Sequence, residues 1–394
     1  MNKEMKNAKI YLYAGAILQF QGFIGPILFV FYTSYMGLNT TEYLVSDALL
    51  FIIMSFCEIP SGIIADSMGR KKALIISQLM ICIGMIILLI SHNFAGAIIV
   101  AIIYGVFGAL QSGTAESIFY ELYETNNALE EYEYISSKVS SVGFVISIIY
   151  AVCSGYIAKI NAMVPLLLDL LISFVLVALS FLLITDKKEY RKRSLSTLPQ
   201  KAEIKNVMNV MLVTIILLSS SRVLFSFYQP ILLSVKMPVE FLGYASALYS
   251  IVAAVSAYMY KQIRKRMSEW NIYVLIIIMQ IIATFGMAFV DNRLVVLFIL
   301  IQQVQRGIAG TFSYMQVNQY IESKRGNRVS IMSMMYFGIS ILTGLSLGIT
   351  SYASDKVNLK MAIIGYVVVL NLVLIISYLT FYLRRTTLKK YIEE

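Results

Sequence analysis

Twelve apolar runs, each long enough to cross a lipid bilayer, set the fold class of this sequence of 394 residues. A helix needs about 20 mainly apolar residues to span the hydrocarbon core. The hydrophobic fraction is 59% and the charged fraction only 14%, which leaves little chain for anything else. These values exclude an ordinary soluble enzyme. Runs of this length also indicate helices and not the short strands of a membrane barrel.

The apolar runs fall into two groups of six, separated by a polar stretch at residues 185–205. We therefore predict an all-α integral membrane protein with two six-helix bundles, at residues 1–184 and 206–394, joined by a cytoplasmic linker at 185–205. The predicted transmembrane helices lie at residues 10–36, 43–63, 73–91, 94–118, 138–158, 163–184, 206–235, 241–260, 272–290, 294–321, 329–352 and 360–383.

The net charge is +10, from 32 Lys and Arg against 22 Asp and Glu. The positions of the basic residues indicate how the chain is oriented in the membrane. In a soluble protein this excess would suggest nucleic acid binding. Here most basic residues fall on the side of the membrane that both termini share. The positive-inside rule then predicts a multi-pass plasma-membrane protein with both termini in the cytoplasm and no nucleic acid partner. The expected partners are a small-molecule substrate and the lipid bilayer, and we expect a monomer.

The cysteine and histidine content argues against a metal or redox centre. All three cysteines lie in apolar runs, and the chain has a single histidine. Neither a CxxC pair nor a His-rich cluster is present, so no metal and no cofactor is expected.

Short internal repeats suggest that the two bundles are related by pseudo-symmetry. The first span contains GPIL at residues 25–28 and the seventh contains QPIL at residues 229–232. The fourth span contains QSGT at residues 111–114 and the tenth IAGT at residues 308–311. Both pairs are separated by about 200 residues. Pro and Gly at corresponding positions of two halves are typical of interrupted helices around a central binding site.

The loop between the second and third spans carries an ordered motif, Gly62-x-x-x-Asp66-x-x-Gly69-Arg70-Lys71. Gly62 allows two helices to approach closely, and Gly69 allows a tight turn. Asp66 can accept hydrogen bonds at a helix N-terminus or pair with a cation. A generic basic loop would explain the lysines but not this spacing. The motif resembles the loop 2–3 signature of the major facilitator superfamily.

The resemblance implies a transporter in which this loop is a conformational latch between the two halves, with Asp66, Gly69 and Arg70 in that role. Glu58 and Glu116, near cytoplasmic helix ends, are expected to pair with Arg70 or Lys71 as part of the latch. The sequence EIPSG at residues 58–62 resembles a variant found in many bacterial members that are regarded as exporters.

Three features depart from the patterns of that family. Ser67 replaces a basic residue of the loop motif. The R-x-x-x-G of drug exporters in the fourth span is missing, because Ala109 stands at the arginine position. Its counterpart is found in the tenth span, from Arg306 to Gly310. The Gly-Pro antiporter motif of the fifth span is also absent.

Four ionisable residues inside predicted spans are candidates for substrate binding or coupling, because charges in the membrane are costly. Arg306 lies near the middle of the tenth span, where it would contact substrate or act as a counter-charge. An Asp–Arg pair involving Asp169 could exchange a proton for a substrate. Arg222 and the shallower Asp47 complete the set. The alternative for each is a structural ion pair or hydrogen bond.

Uncharged polar groups inside the spans suggest a cavity lined by a few hydrogen-bonding side chains. The candidates are Gln21, Gln111, Gln229 and Tyr228, with several aromatic residues nearby. Such a cavity suits amphipathic compounds, cationic or zwitterionic in character. The alternative is that the aromatic residues face lipid or form the interfacial belt.

These observations favour a secondary active transporter that works by alternating access, with proton-coupled efflux of a small organic solute. An uptake permease of the same fold is the first alternative. A membrane-embedded enzyme is the second, but the sequence has neither HExxH nor GxSxG, and we expect no enzyme. A channel is the third, and no repeated filter sequence appears. No Walker A sequence is present, so the driving force would be a proton or ion gradient.

Overall fold

The computed structural model describes residues 3–183, 201–319 and 325–393. Within these ranges every regular element is helical and none is a strand. Eleven of the helices are long and apolar enough to cross a membrane. The remaining predicted span, the first, is interrupted. The all-α membrane fold expected from hydropathy is therefore confirmed.

Among the described residues, twelve helices of 15 residues or more follow the order of the predicted spans. The first, α1 (Lys3–Ile17), precedes the interruption. The others are α2 (Thr40–Met68), α3 (Arg70–Ile90), α4 (Phe94–Thr125), α5 (Leu129–Ile160), α6 (Met163–Leu183), α7 (Lys201–Ser234), α8 (Val239–Arg266), α9 (Glu269–Phe289), α10 (Val295–Gln319), α11 (Arg325–Lys356) and α12 (Leu359–Glu393).

The first span differs from the prediction of one continuous helix at residues 10–36. After α1 the chain leaves helical geometry, and Gln21 has a positive φ of 53°. A 3₁₀ turn at Gly25–Ile27, a single α-helical turn at Leu28–Val30 and a π turn at Phe31–Tyr35 then complete the span. Pro26 contributes to the interruption because it has no N–H for a helical hydrogen bond. Hydropathy located the span, but it carries no information on backbone geometry and did not predict this break.

The corresponding proline of the seventh span does not break its helix. Pro230 lies inside α7, four residues before that helix ends at Ser234. The Pro/Gly pattern therefore identified an interruption in the first half only. The predicted linker at 185–205 lies mostly outside the described residues, and its last five residues form the beginning of α7.

Local sequence signals explain several helix ends. At the start of α2, Asn39 accepts the N–H of Glu42 at 2.8 Å, and Glu42 accepts the N–H of Asn39 at 2.9 Å. This reciprocal capping box satisfies two donors that a helix start leaves open. Between α2 and α3, Gly69 has a φ of 92°, which residues with a Cβ rarely adopt. A single glycine thus separates two transmembrane helices.

The chain divides into two compact units. The first comprises residues 1–193 and 236–250, and the second comprises residues 194–235 and 251–394. In the first unit α1 packs on α5, and α3 packs on α4 and α6. In the second unit α7 packs on α11, and α9 packs on α10 and α12. The same helix pairs therefore recur after a shift of six helices, as expected for pseudo-symmetric bundles.

A glycine contact also recurs in the two units. In the first, a Cβ on Gly105 of α4 would lie 2.8 Å from the backbone oxygen of Leu50 in α2. In the second, a Cβ on Gly307 of α10 would overlap the backbone oxygen of Ala253 in α8. The two glycines occupy equivalent helices, about 200 residues apart in sequence. Close approach of membrane helices at small residues is a common packing mode.

Candidate functional site

The interruption of the first span is held by the carboxylate of Asp169 in α6. Its Oδ1 accepts the backbone N–H of Phe23 at 3.1 Å, and its Oδ2 accepts that of Ile24 at 2.8 Å. Asp169 is fully buried. Two consecutive N–H groups that would otherwise have no helical partner are thereby satisfied, as a capping residue would do within one helix. The carboxylate therefore acts as an N-cap supplied by a different helix.

Side chains of α5 hold the carbonyl side of the same interruption. The hydroxyl of Ser154 donates to the backbone oxygen of Phe23, and the hydroxyl of Tyr150 donates to that of Ile17 at 2.7 Å. The Gln19 amide donates to the backbone oxygen of Gly143 at 2.6 Å. Non-helical backbone at membrane depth persists only where protein or a water-filled cavity satisfies it. The break is thus built into the packing of this unit.

The structure gives the Asp169 carboxylate backbone partners, where the sequence suggested an arginine. Both of its oxygens are occupied by N–H groups of the first span, and Ser173 donates to its backbone oxygen at 2.8 Å. Gln21, another candidate, lies at the break itself and is partly buried. Its backbone oxygen accepts the N–H of Gly25 at 3.0 Å. Two of the candidate residues therefore lie at this interruption.

The second unit carries the arginine candidates. The guanidinium carbon of Arg306 in α10 lies 4.4 Å from the centre of the Phe225 ring in α7. One guanidinium nitrogen donates to the amide oxygen of Gln303 at 3.2 Å. Arg222, on α7, lies near enough for its positive charge to act on Arg306. Both arginines are exposed, although both lie within transmembrane helices.

A buried network of amides and hydroxyls lies beside Arg306 in the second unit. Gln303 donates to Gln302, and Gln302 donates to the backbone oxygen of Ser221 at 3.0 Å. The Ser221 hydroxyl donates to the amide oxygen of Gln305 at 2.9 Å. From α9, Gln280 donates to the hydroxyl of Ser220 at 3.2 Å. These bonds link α7 to α10 through Ser221 and to α9 through Ser220.

Two polar atoms of this network have no hydrogen-bond partner among the described residues. They are the amide nitrogen of Gln305 and the amide oxygen of Gln280. Both side chains are completely buried. Unsatisfied buried polar atoms are costly and need an explanation, such as a water molecule or a ligand. The interior of this unit therefore retains unused hydrogen-bonding capacity on α9 and α10.

Five residues of the predicted latch, Gly62, Asp66, Gly69, Arg70 and Lys71, lie at or near the junction of α2 and α3. Arg70 begins α3 and is 4% exposed. The Lys71 ammonium donates to the backbone oxygen of Phe181, near the C-terminal end of α6, at 3.2 Å. Gly62 and Asp66 lie in the last two turns of α2. The side chains of Asp66 and Glu116 lie outside the described set, so the predicted pairing of the latch stays a prediction.

The remaining candidates are distributed over several helices. Asp47 and Glu58 are partly buried on α2, and Gln111 is partly buried on α4. On α7, Gln229 donates to the Tyr228 hydroxyl at 2.8 Å, and both residues are buried. The described contacts do not bring these five side chains into one cluster. Tyr228 also lies beside the Phe225 ring, with centroids 5.0 Å apart, and near Arg306. The proposed roles of the other four residues rest on the sequence alone.

Sequence reasoning missed the residues that support the two sites. Tyr150 and Ser154 were not singled out, and neither were Ser220, Ser221 and Gln280. Hydroxyl groups are common in membrane helices, so each is uninformative by itself. The run of three serines directly before Arg222 was the one available signal. Only the folded structure reveals which of them turn toward another helix.

Comparisons with known proteins identify the fold. The structure of the nucleoside transporter NupG is 16% identical, with a TM-score of 0.74 and coverage of 96% of this chain and 99% of that chain. A mutant of the same transporter gives 16% identity, a TM-score of 0.75 and coverage of 94% and 99%. The structure of the human organic anion transporter MFSD10 is 10% identical in sequence, with a TM-score of 0.62. The match covers 95% of this chain and 99% of that chain. At these identities the likeness shows the fold alone.

Sequence comparison gives the family. None of the curated proteins matches the chain. The family model described as Major Facilitator Superfamily matches residues 11–347, which is most of the chain and includes the interrupted first span, the latch loop and Arg306. The protein therefore belongs to the Major Facilitator Superfamily and is a transporter, not an enzyme.

Proposed function

We propose that this protein is a secondary active transporter that exports a small organic solute across the plasma membrane in exchange for protons. Solute transport by alternating access follows from the family. The finer assignments are export, proton coupling and the residues that perform each task. We place substrate contact at Arg306 and coupling at Asp169, with a monomer as the working unit and both termini in the cytoplasm.

The observation that carries the proposal is the capped interruption of the first span. Transporters commonly bind substrate and coupling ions where a membrane helix is broken and its backbone groups are available. Here both free N–H groups of the broken segment, those of Phe23 and Ile24, are accepted by one buried carboxylate, that of Asp169. A change at that single carboxyl group would therefore alter the backbone of the first span.

Proton binding at Asp169 would change these hydrogen bonds directly. A carboxylate offers acceptors only, whereas a protonated carboxyl group carries an O–H donor on one oxygen. That oxygen would then present a donor toward a backbone N–H, and one of the two bonds would be weakened. Two nearby titratable side chains, Tyr104 and Tyr150, interact electrostatically with Asp169. The proton would thus loosen the first span near its interruption.

Export is supported by the EIPSG sequence at residues 58–62, through its resemblance to a variant common among exporters. Within that sequence Pro60 lies inside α2. The Ser61 hydroxyl donates to the backbone oxygens of Glu58 and of Ala109, each at 2.9 Å. Ala109 is the α4 position at which drug exporters have an arginine. Ser61 of this sequence therefore links α2 to α4.

Flux into inverted membrane vesicles tests direction and coupling together. An acidic lumen should drive solute from a chemically diverse panel into wild-type vesicles, and nigericin, which collapses the pH gradient, should abolish the accumulation. Vesicles with Asp169→Asn should lose the response to the gradient. Equal flux in the presence and absence of the pH gradient would refute proton coupling. Gradient-driven loss of preloaded solute from the lumen would instead identify an uptake symporter.

A further inference from the structure

We propose that the transported solute is an organic anion, recognised by Arg306 and Phe225 in the second unit. The proposal rests on the transport function above and deepens it by naming the substrate class. The sequence alone suggested cationic or zwitterionic compounds. The side chains that surround Arg306 favour the opposite charge.

Arg306 keeps most of its hydrogen-bonding capacity available. A guanidinium group has five N–H donors. Among the residues that the structure describes, its side chain has one hydrogen bond, to Gln303 at 3.2 Å, and one ring contact, to Phe225 at 4.4 Å. Both partners are neutral. A planar guanidinium group that rests on an aromatic ring is pre-organised to present its edge to a carboxylate or phosphate.

The described interior of the second unit offers Arg306 no negative charge. Its described acidic side chains lie at the ends of helices. Glu269 pairs with Arg264 at 2.8 Å, and Asp291 pairs with Lys360. Asp355 lies next to the last residue of α11. None of them pairs with Arg306.

Arg222 adds to the positive charge around Arg306. It lies in the middle of α7, and its charge and that of Arg306 repel each other. Two neighbouring cations are costly inside a membrane protein unless water or an anion reaches them. Both arginine side chains are exposed. A cationic solute would be repelled, whereas an anionic solute would supply the opposite charge to Arg306.

The ring of Phe225 adds a second specificity element. It is 36% exposed and also contacts the Tyr228 ring, with centroids 5.0 Å apart. An exposed aromatic surface beside a guanidinium group suits a solute with a planar apolar part and one acidic group. An aromatic carboxylate is the simplest compound of this class.

A cysteine reporter can measure the charge of this site without knowledge of the natural solute. Gly310 lies one helical turn after Arg306, on the same side of α10, and a Cβ there would meet nothing within 4 Å. We would introduce Gly310→Cys after replacing Cys57, Cys82 and Cys153 with serine. We would measure the rates at which an anionic and a cationic methanethiosulfonate modify this cysteine. Each rate is divided by the rate at which the same reagent modifies a free thiol in solution.

The expected anion-to-cation rate ratio falls about tenfold when Arg306→Gln is added, because one positive charge is removed at a distance of one helical turn. Arg306→Lys should retain the ratio. Arg293→Gln, which removes an exposed arginine outside α10, is the matched control and should leave the ratio unchanged. A ratio that is independent of Arg306, or a cysteine that no reagent reaches, would overturn the proposal.

Protection of the introduced cysteine then tests the ligand class with three probes of similar shape. These are 2-naphthoate, 2-naphthamide and 2-naphthylmethylammonium. We expect 2-naphthoate alone to slow the labelling of Gly310→Cys, and Arg306→Gln to abolish that effect. Equal protection by all three probes, protection by none, or better protection by the cation would contradict an organic-anion site. Because labelling needs no transport, an absence of flux in vesicles would refute the transport function separately.

Discussion

The Oδ2 atom of Asp169 in α6 accepts the backbone N–H of Ile24 at 2.8 Å, and this bond ties the broken first span to another helix of its unit. The neighbouring N–H of Phe23 occupies the second carboxylate oxygen. A residue that sequence reasoning selected for its charge thus has a structural task as well. The proposed coupling role is compatible with this structural task, since a group that fixes a break in a helix can also release it.

Asp169→Asn should both destabilise the protein and reduce transport. The amide retains one acceptor and presents an NH₂ group to a backbone N–H, so one buried donor loses its partner. The expected cost is about 1–3 kcal/mol, measured as a lower unfolding temperature in detergent. Asp291→Asn removes a carboxylate that pairs with Lys360 at the surface and serves as the control. Wild-type stability of Asp169→Asn would contradict the capping role.

Gly69→Ala should weaken the turn between α2 and α3. Gly69 has a φ of 92°, a conformation that costs a residue with a Cβ of the order of 1–3 kcal/mol. We expect a lower unfolding temperature and also reduced flux, because Asp66 and Arg70, which the sequence predicts to form the latch, flank this turn. Gly365→Ala in α12, where a Cβ would meet nothing within 4 Å, is the matched control. Equal behaviour of the two variants would argue against a strained turn.

Gly243→Ala should disturb the contact between α5 and the beginning of α8, which belong to the same unit. A Cβ on Gly243 would overlap the backbone oxygen of Ala151, and one on Gly155 would lie 2.6 Å from that of Glu240. Backbone atoms cannot move aside as a flexible side chain can, so the helices must separate. The expected results are a lower unfolding temperature and loss of flux.

A neighbouring pair of side chains provides a second measure of this contact. Lys159 and Glu240 form an ion pair at 2.9 Å, and the hydroxyls of Tyr156 and Tyr244 lie 2.5 Å apart. Both interactions are exposed and contribute little stability by themselves. We therefore expect Glu240→Gln to leave the unfolding temperature nearly unchanged. A larger effect of Glu240→Gln than of Gly243→Ala would show that charge, not close packing, joins these helices.

Ser221→Ala should be more harmful than the loss of one hydroxyl suggests. It leaves the amide oxygen of Gln305 without its 2.9 Å bond, and the amide nitrogen of Gln305 already has no partner among the described residues. An unsatisfied buried amide costs about 1–3 kcal/mol, whereas removal of both partners is nearly neutral. The double variant Ser221→Ala/Gln305→Leu should therefore recover stability lost in the single variant. Additive losses would indicate that the two residues are independent.

Sequence periodicity and composition were sufficient for the overall fold, because the membrane imposes a simple rule on helix length and polarity. The loop motif around Asp66 and Gly69 was sufficient for the family. The interruption after Ile17 was only partly foreseeable. Pro26 marked it, but the equivalent Pro230 lies within a helix, and the difference comes from tertiary partners such as Asp169 and Ser154. The sequence around each proline does not show which residues of other helices will contact it.

The functional site shows the same limit. Arg306 could be selected from sequence, because arginine is costly in the middle of a membrane span. Its contact with Phe225 could not, since α7 and α10 are far apart in sequence and hydropathy gives no helix rotation. For this reason the anionic solute that we propose differs from the cationic or zwitterionic compounds that the sequence suggested. The surroundings of an arginine decide whether it is already neutralised by the protein.

The central claim is that this protein carries an organic solute through a site that includes Arg306. Initial rates of flux into proteoliposomes that contain the purified protein test it most directly, with a panel of small organic anions, neutral compounds and cations. We predict saturable, protein-dependent flux of at least one anion, and its loss in Arg306→Gln but not in Arg293→Gln. Proteoliposomes no more permeable than empty liposomes to every compound, or flux that Arg306→Gln leaves unchanged, would contradict the claim.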